Sequence, residues 1–197
     1  MPLDRKFYAR EDTAKIAREL LGKLLVVASP EGRVSGMIVE TEAYLGEIDR
    51  AAHSFGGRRT KRNEVMYGEP GFAYVFFVYG MYNQFNCVTG VAGTPHAILI
   101  RGVEPVDGVE LMQKRRLKAK RLTDLTSGPG KLCIAMGIDR SLNGEDLLGS
   151  TVFIEEYRTV PSKEIASGKR IGIDYAGEDA DLPLRFWIAG NAFVSRK

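Results

Sequence analysis

Hydrophobic and polar positions change period several times along the chain, and each change marks an element. Over residues 11–21, Ile16, Leu20 and Leu21 recur at helical spacing, Asp12 or Thr13 stands where a cap is needed, and Gly22 follows. A helix is predicted there. LLVVAS and VSGMIVETE read as two strands joined through SPEGR, a hairpin. Residues 47–71 lose all periodicity and are rich in Gly, Arg and polar types. A loop that long in a compact domain is usually functional. GFAYVFFVYG, QFNCVTGV and AILIRGVEP are strand-like, with a turn around Gly80 between the first two. In DGVELMQKRRLKAKRL, Val109, Met112, Arg116 and Leu117 fall at helical spacing among basic positions, which predicts a helix over 107–122. GPGKLCIAMG reads as a short helix, and TVFIEEY, KRIGID and LRFWIAG as later strands. Antiparallel strands with interspersed helices predict a single α+β domain over residues 1–197.

Composition narrows the setting. At 197 residues, with 44% hydrophobic and 27% charged positions, the chain suits one globular domain and no apolar run reaches membrane-spanning length. The segment MPLDRKFYARED has charge but no apolar signal core, so a cytoplasmic protein is expected. Cys87 and Cys133 lie in apolar contexts without CxxC spacing, which predicts reduced thiols. The only two histidines are far apart, so no histidine-rich metal site is expected.

Charge changes the picture more. RRTKR (58–62) carries four basic residues and KRRLKAKR (114–121) six, with no acid in either. Subtracting those ten from the net +3 leaves the rest of the chain at −7. Charge concentrated in this way suits a polyanion-binding face, although a plain solvated surface would look the same.

The chemistry centres on VETEAYLG. A strand alternates faces, so Ile38, Glu40, Glu42 and Tyr44 share one side. Two carboxylates and a phenol ring then project together, next to a loop carrying Asp49 and His53. That neighbourhood suits an active site. The plainer alternative is a solvent-facing strand edge whose acids pair with Arg58 or Arg62.

VETEAYLGEIDRAAHSFGGRRTKRN, VYGMYNQFN, ILIRGVEP, SGPGKL and RIGIDYAG occur in unbroken order from about residue 7 to Ser195. Together they resemble the alkyladenine (3-methyladenine) DNA glycosylases. The resemblance implies a curved antiparallel sheet with flanking helices and a protruding β-hairpin. It also implies removal of alkylated or deaminated purines from double-stranded DNA, leaving an abasic site without strand cleavage. By the same resemblance, Glu42 is the general base that activates a water, Arg101 helps hold that water, and the Ile171 carbonyl accepts from it. Glu40 is then structural. Tyr44 and His53 sandwich a flipped base. Phe76 stands where other members carry tyrosine, so the stacking face is kept and the hydroxyl lost. Asn86 sits near the C2 edge and disfavours the amino group of guanine. Tyr79 wedges into the minor groove, with Met81 and Tyr82 able to share the role. Arg58, Arg59, Arg62, Ser127, Gly128 and Lys131 contact phosphates. Phe72, Phe77 and Trp187 are expected in the core. No metal, cofactor or obligate protein partner is expected. Two other readings stay open on the residues alone: a metal-dependent nuclease built on Glu40, Glu42, Asp49 and His53, and a non-catalytic nucleic-acid binder.

Overall fold

A computed structural model describes residues 1–78 and 80–195. Two short helices open the chain, α1 (Arg5–Tyr8) and α2 (Thr13–Glu19), each capped by an aspartate, Asp4 and Asp12, whose carboxylate accepts from a first-turn N–H. Strands β1 (Leu24–Ser29) and β2 (Gly32–Tyr44) form the expected hairpin, tightened to a register in which Ser29 faces Gly32. After the long loop come β3 (Ala73–Val78), β4 (Tyr82–Thr89) and β5 (His96–Asp107). Two helices follow, α3 (Val109–Arg115) and α4 (Pro129–Met136). The last strands are β6 (Val152–Glu155), β7 (Ile165–Gly168) and β8 (Arg185–Ile188).

The strands make one antiparallel sheet in the order β3-β4-β5-β2-β1-β6, with β8 bridging β2 and β7. The long strand β2 organises it. Its first half pairs with β1, while Glu40, Thr41 and Glu42 pair with β8. At the changeover a bulge shifts the register to β5 between Ile38 and Glu40. Bulges re-aim side chains. Here Met37, Ile38 and Val39 all enter the main core, whereas Glu40 and Glu42 turn to buried arginines. Simple alternation, which sets Ile38 apart from Met37 and Val39, therefore does not separate core from polar positions here.

Three other sequence expectations are corrected. The helix predicted over 107–122 stops at Arg115. Beyond the buried Met112 the segment has little apolar surface to bury, Leu117 is 86% exposed, and like charges four apart repel. KRIGID is not a strand, because the Ile171 N–H bonds a carboxylate rather than a ladder carbonyl. Of the three residues expected in the core, Phe77 is exposed near the end of β3, while Phe72 and Trp187 are half-buried under the guanidinium groups of Arg5 and Arg185. α1 and β7 were not foreseen. Both cysteines are buried and free.

Candidate active site

The bulged strand carries Glu40 and Glu42 to the same arginine. Arg101, on β5, donates from Nε to Glu40 Oε1 and from Nη1 to Glu42 Oε2, each at 3.3 Å. All three side chains are buried. Burial works against the Arg101 charge, but Glu42 and Glu40 outweigh it and hold the guanidinium above its ordinary value. The two acids then differ in their remaining partners. Glu40 Oε1 also accepts from Arg185 Nε at 2.7 Å and the Ser195 hydroxyl at 3.0 Å, and Oε2 from the Ser195 N–H at 2.7 Å. Glu42 accepts from the Ile171 N–H at 2.7 Å and the Tyr44 hydroxyl at 2.8 Å. A carboxylate has roughly four acceptor positions. Arg101, Ile171 and Tyr44 use three on Glu42, which leaves one without a donor among the described residues.

A cavity of about 310 Å³ is lined by Tyr44, His53, Phe76, Asn86, Arg101 and Ile171 among others. Glu42 is fully buried and bonds three of these lining residues, Tyr44, Arg101 and Ile171. Two satellite clusters make the cavity walls. On one side Tyr44 packs with Ala51, Ile173 and Ala176. Arg170 lies across the Tyr44 ring with its guanidinium carbon 4.8 Å from the centroid, donates to the Ala43 carbonyl, and is held by Asp49, Nη2 to Oδ1 at 2.8 Å. Burial, then the charge and hydrogen bond of Glu42, push the Tyr44 phenol well above its usual range. That hydroxyl is a neutral donor.

The opposite wall is Met66, Tyr74, Phe76, Val88 and Ala97. His53 meets Phe76 edge-on, with centroids 4.5 Å apart, and its Nδ1 is 2.8 Å from the Tyr74 hydroxyl. Burial, reinforced by Arg62 and Arg58, lowers the imidazole to about 4. Asn86 is buried and donates to the Tyr74 carbonyl at 3.0 Å.

The basic loop is tied beside this wall. Buried Asn63 donates to the carbonyls of His53 and Arg58. Arg59 pairs with Glu64, and the Arg62 guanidinium lies 5.1 Å from the Phe76 centroid. Arg58 is exposed. Met81 is exposed at the β3–β4 tip. Tyr82 packs so closely on Gly130 that a Cβ there would stand 2.8 Å from the Tyr82 Cγ. The tip is thereby seated on the start of α4, where Ser127, Gly128 and Lys131 lie; Ser127 also bridges Gly102. Tyr79 is outside the described residues.

The structure thus brings Tyr44, His53, Phe76, Asn86, Arg101 and Ile171 into one cavity that Arg62 also lines, with Glu42 buried against Tyr44, Arg101 and Ile171. It parts the nuclease quartet: Glu40 and Glu42 go to Arg101, Asp49 to Arg170 and His53 to Tyr74. Sequence reasoning missed Tyr74, Arg170, Arg185 and Ser195. Tyr74 was readable, since it shares a strand face with Phe76. Arg185 and Ser195 reach Glu40 only through tertiary pairing.

A curled sheet that buries paired carboxylates behind an aromatic cavity, with Arg62 in its lining, has the make-up of an enzyme that acts on a flat ring. The chain belongs to the methylpurine-DNA glycosylase family, whose model matches residues 6–192. These are hydrolytic DNA glycosylases of base-excision repair. Relatives provisionally named 3-methyladenine DNA glycosylase include a Desulfitobacterium hafniense protein, 52% identical over 99% of this chain and 98% of its own. An Alkaliphilus oremlandii protein is 48% identical over the full length of both, and a Methanocella arvoryzae protein 50% identical over 99% of this chain and 96% of its own.

Proposed function

We propose that this glycosylase rotates an alkylated or deaminated purine out of duplex DNA and seats it between Tyr44 and His53, against Phe76. The candidates are 3-methyladenine, 7-methylguanine, hypoxanthine and ethenoadenine. Glu42 then takes a proton from a water whose oxygen attacks the sugar carbon. The C–N bond breaks, its electron pair leaves with the purine, and an abasic site remains. Cationic character developing on the sugar is stabilised by the same carboxylate. Arg101 and the Ile171 carbonyl orient the water. Asn86 crowds the C2 edge, which disfavours the amino group of undamaged guanine. Tyr79, with Met81, fills the gap left by the rotated nucleotide. Arg58, Arg59, Ser127, Gly128 and Lys131 hold phosphates, so rising salt weakens binding.

One observation carries this reading: the buried Glu42 carboxylate accepts from Tyr44, Arg101 and Ile171, all of which line the cavity, and keeps one acceptor position without a donor among the described residues. The cavity volume sits at the small end of the roughly 300–1,000 Å³ range for ligand sites, as one purine requires. The test is single-turnover base release from duplexes that each carry one defined lesion, in EDTA, for the wild type and Glu42→Gln. Release by the wild type and its loss in the variant support the proposal. Equal release by both would remove Glu42 from the chemistry. Strand cleavage that EDTA abolishes would favour the nuclease.

A further inference from the structure

The cavity wall carries one polar side chain that neither the base-release steps nor the fold employs. Gln84, on β4, lines the cavity and is half-buried. Strand alternation puts it on one face with Asn86 and Val88, while Phe85 and Cys87 enter the main core. Across the β3–β4 ladder it faces Phe76. The other polar side chains around the cavity are committed. Tyr44 and Arg101 are bonded to Glu42, His53 to Tyr74, and Asn86 to the Tyr74 carbonyl. Arg62 donates to the Phe77 carbonyl and Tyr175 to the Ala51 carbonyl. The Gln84 amide has no hydrogen-bond partner among the described residues. A half-buried amide is supplied by solvent while the cavity is open. A flat ring that fills the cavity removes that solvent, and an amide left unpaired there weakens binding. Gln84 therefore discriminates between rings by what they offer its amide.

Its place on the strand selects the part of the ring it meets. Asn86 faces Leu99 across the β4–β5 ladder, and Gln84 and Arg101 are the next positions outward on that face of each strand. Gln84 thus stands on the side of Asn86 nearer to Arg101, which holds Glu42. In the proposed complex Asn86 borders the purine C2 edge, and Glu42 serves the bond to N9. The ring nitrogen between those two points is N3. We propose that Gln84 is a specificity-determining residue whose amide N–H donates to N3 of the flipped purine. The proposal rests on the cavity being the base-binding site and adds to it a contact with the leaving group. When the C–N bond breaks, its electron pair passes to N9 and spreads through the ring to N3. A hydrogen bond to N3 is therefore stronger in the transition state than in the bound substrate. A neutral purine such as hypoxanthine or ethenoadenine leaves with negative charge and gains most. 3-Methyladenine carries its methyl group on N3 and leaves as a neutral ring, so it offers no acceptor there and needs none. Phe76 and Gln84, paired across the two strands, divide the work, one taking the face of the ring and the other its edge.

A one-atom change in the base isolates the contact. Hypoxanthine and 3-deazahypoxanthine differ only in having nitrogen or C–H at position 3. Single-turnover release of each is measured from otherwise identical duplexes, for the wild type and for Gln84→Met, which keeps the length of the side chain and removes the donor. The hypoxanthine-to-3-deazahypoxanthine rate ratio should fall roughly ten- to a hundredfold in the variant, the scale of a hydrogen bond to a charged group. Release of 3-methyladenine from a methylated duplex should lose far less than release of hypoxanthine. Tm should stay at the wild-type value, because the amide pairs with nothing in the fold. A rate ratio that is the same in both proteins overturns the proposal. So does an equal loss on hypoxanthine and 3-methyladenine, which would make Gln84 a packing residue of the wall. A wild type that releases 3-methyladenine and no hypoxanthine overturns the proposal and leaves base release standing. A wild type that releases neither overturns base release, and the proposal with it.

Discussion

The two walls of the cavity are built on opposite principles. Around Glu42, every group comes from paired strands or from residues locked to them, and the ions are buried and mutually neutralised. Around His53, the groups come from a long loop and a hairpin; His53 is half-buried and Met81 lies open at the tip. Buried charge is tolerable only when fully paired, which demands rigid surroundings. Recognition needs a way in, so its wall is assembled from segments that stay near solvent. The chemistry is held by the sheet, and the selection by what is attached to it.

Substitutions should separate the two sides. Glu42→Gln is expected to reduce base release by about 10²–10⁴-fold, the range for a general base, with little change in Tm because Arg101 keeps Glu40. Glu40→Ala should do the reverse. It removes the acceptor that Arg101, Arg185 and Ser195 share, and a broken buried pair costs about 3–5 kcal/mol, read by denaturant unfolding. If Glu40→Ala proved as stable as wild type, the contrast between the walls would fail. The pH dependence sharpens it further. His53 is depressed to about 4 by the fold, against an ordinary 6.5. Its contribution is therefore complete above pH 6.5 and is lost as the pH falls toward 4, because the unfolded chain takes up the proton first. Tm measured across that interval should fall less steeply in His53→Gln. The smallest effect expected is from Gly130→Ala. Its methyl would collide with Tyr82, costing about 1 kcal/mol of stability and a few-fold in duplex affinity while base release at saturating DNA persists.

Much of this was legible in the residues. The hairpin of β1 and β2, the cap at Asp12 and the strands around Phe76 and Arg101 follow from local pattern, because apolar period and turn chemistry are local properties. Strand alternation brought Glu42 and Tyr44 to notice beside the loop of His53, and motif order chose Glu42 over Glu40 and added Ile171. What stayed hidden has non-local causes. Nothing near Glu40 announces that Arg185 and Ser195 return to it from 145 and 155 residues away. The bulge after Ile38 depends on β2 changing partners, which no window of sequence contains. KRIGID looked like a strand because its apolar residues alternate, yet its backbone serves a side chain. The basic run after Met112 imitated helical spacing while lacking anything to pack against.

The missing side chain at position 130 has a mechanical meaning. Because the Tyr82 ring rests directly on that glycine, the part that would pry at a double helix and the part that would clasp its strand cannot drift apart. Leverage applied at one is borne by the other, so an engineer who loosened the clasp to hasten turnover would blunt the lever with the same change.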